Sequence, residues 1–145
     1  MNGNVVPAPL VQRLAELPRE AALRLALRLD AAITGTNGVA YVALAGVLDS
    51  PLRLDEALLR GAGVALMVFS AALALLATRR QIPALAVAVV VVANGVWALD
   101  SIAALALGWI EPTTGGAVWV ALQAVVVAGF AALQYAALRR PGAGR

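Results

Sequence analysis

Residues 81–100, QIPALAVAVVVVANGVWALD, decide the fold. The run from Gln81 to Leu99 carries no charge and is apolar nearly all round, whereas a helix on the surface of a soluble bundle shows a polar face at helical period. Its length is close to the roughly 20 residues that cross a bilayer as a helix. It ends on Asp100, the one acid set well inside an apolar stretch. An aspartate near a bilayer centre costs about 2.5–3.5 kcal/mol, so such a residue faces protein or water.

Three further charge-free runs, Ala31 to Leu48, Gly61 to Thr78 and Pro112 to Leu138, repeat the pattern. Of the 145 residues, 62% are hydrophobic, and the mean hydropathy is +0.87. The expected fold is an all-α, four-helix transmembrane bundle forming a single membrane domain, with spans at about 31–49, 56–78, 83–108 and 114–138. Ahead of it, 1–9 reads as a flexible tip and 10–29 as a short interfacial amphipathic helix, with Leu10, Val11, Leu14 and Leu17 at helical spacing. Pro18 breaks or restarts that helix, and Glu20 and Arg24 form an i,i+4 pair. Pro141 opens a short flexible tail, 141–145.

Every positive charge is an arginine. With four spans, Arg13, Arg19, Arg24, Arg28, Arg79, Arg80, Arg139, Arg140 and Arg145 share one side, and Arg53 and Arg60 lie on the other. The positive-inside rule then puts both termini in the cytoplasm of a bacterial cell, with the chain multi-pass in the inner membrane. The pI of about 10.6 reads as topology and as attraction to anionic headgroups, not as a nucleic-acid footprint. The first thirty residues mix arginines with acids before any apolar core, so the first span acts as an uncleaved insertion signal.

Cysteine and histidine are both missing from the sequence. Thiol–disulfide chemistry, thiolate catalysis, the usual zinc sites and histidine-ligated haem therefore lack their side chains. No phosphate-cradling glycine loop and no serine beside a base are present, so no catalytic residue, cofactor or metal is assigned.

The polar residues within the spans are the candidates for a site. In the first span Asp30, Thr34, Asn37 and Tyr41 follow four-, three- and four-residue steps and make one stripe that should face other helices. Asp30 itself is expected close to cytoplasmic water. In the third span Asn94, Trp97, Asp100 and Ser101 share a face; in the fourth, Gln123 and Gln134 lie three turns apart on one face. Counting inward from the outer ends puts Tyr41, Asp100 and Gln123 at a common depth of roughly 10 Å, where they can meet. The candidate intramembrane polar site is thus Asp100, Tyr41, Gln123, Asn94, Asn37, Ser101 and Arg60. Three roles stay open for Asp100: a hydrogen-bonded lock, a titrating or ligand-binding group, or a residue in a headgroup-level water pocket. Arg60 pairs either with Asp100 or with Glu56, four residues before it. Asn37-Gly38-Val39 also echoes Asn94-Gly95-Val96, as two parallel-related hairpins would, which would let the two asparagines pair. Gly63, Met67, Ser70 and Ala74 give the second span a mostly small face suited to close helix approach.

In Arg28-Leu29-Asp30-Ala31, Leu59-Arg60-Gly61, Asn94 with Trp97, and the Gln123 to Gln134 stretch before Arg139-Arg140, the chain resembles a loose group of small, mostly uncharacterised four-span bacterial integral membrane proteins from high-GC genomes. Its plan also looks like that of DoxX-type small membrane proteins, a resemblance that implies an oxidoreductase-associated role. Small multidrug exporters share the four-span size but carry a glutamate inside the first span, where this chain has none. The expected function is a non-enzymatic accessory or scaffold subunit that binds a membrane-protein partner, or a second copy of itself, through small-residue faces. The alternative is a small oligomeric transporter or channel that uses Asp100 as a proton or cation site.

Overall fold

A computed structural model of the chain describes residues 10–141; the tip expected at 1–9, and the tail beyond Pro141, lie outside the described residues. Within them the elements are α1 (Leu10–Ala15), α2 (Arg19–Leu52), α3 (Glu56–Thr78), α4 (Ala84–Ala106) and α5 (Thr114–Leu138). The four long helices are each long and apolar enough to cross a membrane. Large apolar side chains cover their outer faces, with Leu85, Leu99 and Val47 all at least 70% exposed, while Asp30, Thr34, Asn94 and Gln134 are buried inside. Lipid-facing apolar surface around an internally satisfied polar interior is what a hydrocarbon solvent selects. The chain is a multi-pass integral membrane protein with a four-helix bundle.

Helix boundaries follow local chemistry. Pro18 stands at the N-cap of α2 and Pro83 at that of α4, where the missing N–H costs nothing. Thr113 caps α5, its hydroxyl accepting the Gly116 N–H at 3.0 Å. Ser50 and Pro51 lie within α2, which runs on to Leu52; left-handed Arg53 returns its N–H to the Asp49 carbonyl, and Asp55 caps α3 by accepting the Leu58 N–H at 2.9 Å. The segment 10–29 is not one helix but divides at Pro18: α1 stands apart, and 19–30 forms the first turns of α2, with Ala22, Leu23, Ala26 and Leu27 buried. Leu23 and Leu27 share a core with Leu73 and Ala77 of α3, Val87 and Val90 of α4, and Ala137 of α5. That burial holds the segment in the bundle, and α2 reaches about 50 Å at 1.5 Å per residue.

Arginines close the end of the bundle where α2 and α4 begin. Arg24 donates to the Ala77 carbonyl and, at 3.0 Å, to the Arg79 carbonyl, satisfying the last turn of α3. Arg19 donates to the Leu138 carbonyl at 3.3 Å, and Arg140 to the Leu17 carbonyl at 2.7 Å. Glu20 accordingly meets Arg19 and the Ile82 N–H rather than Arg24. At the opposite end Thr113 ties the α4–α5 loop to α2, its N–H reaching the Leu52 carbonyl at 3.0 Å and its hydroxyl the Pro51 carbonyl at 2.8 Å.

Helix order is set by small residues. Gly38 of α2 and Gly63 of α3 face each other so closely that a Cβ on either would stand 2.8 Å from the other's carbonyl oxygen. Ser70 reaches across the same seam to the Ala31 carbonyl at 2.7 Å. Gly63 and Ser70 of the small face of α3 are therefore taken up by the chain's own α2, while Ala74 stays exposed. α2 also packs on α5, and α5 on α4. Although a short loop joins them, α3 and α4 share a core only near that loop, and a gap opens between them farther along.

Candidate functional site

Two polar layers occupy the bundle. The first is centred on Asp30, which is 0% exposed. Its Oδ1 accepts the Thr34 hydroxyl at 2.8 Å; its Oδ2 accepts the Asn94 and Gln134 amides, each at 2.7 Å. Asn94 also donates to Gln134 Oε1 at 3.2 Å. Three helices thus converge on one carboxylate, and no arginine bonds to it among the described residues. The expectation that Asp30 sits near cytoplasmic water is corrected: the opening turns of α2 pack against α3, α4 and α5 and carry it into the core. The signal in the sequence was the i,i+4 step from Asp30 to Thr34, with Gln134 three turns beyond Gln123.

The second layer surrounds a cavity of about 300 Å³ near the end that holds the α2–α3 and α4–α5 loops. Asn37, Tyr41, Asp100, Ser101 and Gln123 all line it. Depth counting therefore brought Tyr41, Asp100 and Gln123 to one space, though not to direct bonds. Tyr41 accepts the Trp119 indole N–H at 2.8 Å, Asn37 donates to Gln123 at 2.7 Å, and Ser101 returns its hydroxyl to the Trp97 carbonyl at 2.8 Å. Asn37 and Asn94 do not pair; each is held in a different layer.

Asp100 is exposed on the cavity wall and makes no side-chain hydrogen bond or ion pair among the described residues. Arg60 stays with Glu56, at 2.6 and 2.9 Å, so of its two possible partners it takes the nearer one in sequence. Of the three roles left open for Asp100, the hydrogen-bonded lock is not formed there; it is built around Asp30, because donors from α4 and α5 reach that depth. The rest of the cavity lining is largely apolar, including Leu59, Leu66, Trp97 and Phe130. An acid on an apolar wall offers a binding partner for a cation. Among the described residues no group of three or more acidic, histidine or cysteine side chains is placed to hold a metal ion. Comparison of the chain with protein families, curated proteins and solved structures finds no match.

Proposed function

We propose that the protein is a non-enzymatic membrane protein that binds a small organic cation in the cavity beside Asp100, as the binding step of a small transporter or channel. The observation that carries this is the Asp100 carboxylate on a largely apolar wall, with no arginine among the lining residues. A volume of about 300 Å³ lies at the lower end of the range for small-molecule sites, and a few polar groups within apolar walls are the usual composition of one. An intramembrane acid facing a cavity marks ion and substrate sites more generally.

Against a scaffold role on the small face of α3, Gly63 and Ser70 are already engaged by α2. For location, we infer the bacterial inner membrane with both termini cytoplasmic. Support comes from the arginines gathered where α3 and α5 end, which also suits that face to anionic headgroups.

The test is equilibrium binding of radiolabelled tetraethylammonium to purified protein in nanodiscs. Saturable binding that weakens about tenfold or more in Asp100→Asn, with unchanged elution and melting, supports the proposal. Equal affinity in wild type and variant removes Asp100 from the site, and no saturable binding removes the cation.

A further inference from the structure

A second cavity, of about 230 Å³, adjoins the first in the gap between α3 and α4. Thr34, Leu66, Trp97 and Val127 line both. Ala65 and Ala93 line it with small side chains that leave the space unfilled, and Phe69 bounds it farther along. Asn94 lies at its inner end with its amide already given to Asp30 and Gln134, so what the space offers is mainly apolar contact.

Both flanks of this gap are apolar and exposed, with Val64 and Val68 on α3 and Val92 and Val96 on α4. In a bilayer the medium against those flanks is acyl chain, so the gap opens toward hydrocarbon, not toward water. Along α4 the joined space runs from Ala104 to Asn94, about 15 Å at 1.5 Å per residue. That is half of a hydrocarbon core of roughly 30 Å, the depth of one leaflet. The wider part of the space bears the carboxylate among a few polar side chains, and the part between α3 and α4 is largely apolar.

We propose that the ligand is a single-chain cationic amphiphile, its head against Asp100 and its alkyl tail in the second cavity, and that it enters sideways from the bilayer between α3 and α4. The tail path deepens the cation reading above and rests on it for the head contact. Because tail and lipid are equally apolar, packing within the cavity, rather than the hydrophobic effect, selects the tail. Plugging the gap is therefore the sensitive perturbation.

The experiment uses the full chain in liposomes with an alkyltrimethylammonium probe that carries a photoactivatable diazirine in its tail, the adducts being mapped by mass spectrometry. Adducts are expected on Ala65, Phe69 and Ala93, reduced about tenfold by excess unmodified alkyltrimethylammonium and by Ala93→Phe. Ala65→Phe is the second plug should the first variant fail to fold, and Val68→Phe, on the outer flank, should leave labelling unchanged. Adducts that resist competition and spread over Val68, Leu75 and Leu99 overturn the tail path. A neutral alcohol probe of equal chain length separates the two claims: weaker labelling of the same residues supports the cationic head, and equal labelling overturns the head contact while leaving the tail path standing.

Discussion

Asp30 on α2 and Asn94 on α4, 64 positions apart in sequence, are joined by a hydrogen bond of 2.7 Å inside the bundle. The bond links two helices that otherwise meet mainly through α5, and Gln134 of α5 donates to the same carboxylate oxygen. Three donors directed at one carboxylate leave each of them dependent on it.

Asp30→Ala should therefore destabilise the bundle by about 1–3 kcal/mol, because buried donors lose their acceptor. Asn94→Ala should cost less, about 0.6–1.7 kcal/mol, as is usual for hydrogen bonds between membrane helices. Unfolding in mixed micelles as a function of denaturing detergent measures both. A smaller loss for Asp30→Ala than for Asn94→Ala would be inconsistent with a carboxylate-centred layer.

Glycine positions should split into two groups. Gly63→Ala and Gly38→Ala each drive a Cβ to within 3 Å of the facing helix, where backbone cannot move aside, and should lower the melting temperature. Gly61→Ala and Gly95→Ala meet nothing within 4 Å and should be neutral or stabilising by up to about 1 kcal/mol. Melting curves of the four variants decide the matter, and similar losses in all four would remove the close α2–α3 seam.

Arg24 and Arg60 predict opposite sensitivities. Arg24 satisfies carbonyls at the end of α3, so Arg24→Gln should lose about 1–2 kcal/mol. The Arg60–Glu56 pair is half-exposed, and Arg60→Gln should lose no more than about 0.5 kcal/mol. Unfolding free energies of the two variants, compared under one set of conditions, test the contrast.

Tyr41 and Trp119 should behave as one unit. Tyr41→Phe and Trp119→Phe each break the same 2.8 Å bond, so the double variant should be less destabilised than the two single losses combined, by about 0.6 kcal/mol. Strict additivity in a double-mutant cycle would mean that the bond contributes nothing.

The membrane fold was legible because four charge-free runs near the spanning length admit few other structures. The polar stripe through Asp30, Thr34 and Tyr41 was also readable, since helical period alone puts those residues on one face. The burial of Asp30 was not. Hydropathy ends the first span at Ala31, whereas the helix continues back to Arg19, held by side chains of α3, α4 and α5 that no local pattern connects to it. Helix order was equally hidden: a short loop suggests that α3 and α4 pack together, but the glycine seam draws α3 onto α2 instead. Depth arithmetic placed Tyr41, Asp100 and Gln123 around one space because it needs only the rise per residue, and it could not say which side chains bond.

The central claim is that a carboxylate at Asp100 makes the cavity selective for cations, and a single introduced thiol tests it most directly, because the chain has no cysteine of its own. Ser101→Cys lines the same cavity and can be reacted with cationic and anionic methanethiosulfonate reagents in sealed vesicles. The account predicts that the cationic reagent is favoured by about tenfold over its intrinsic advantage with a free thiol, and that this preference disappears when Asp100→Asn is added. A thiol that reacts without charge preference, or whose preference survives the loss of Asp100, would contradict it.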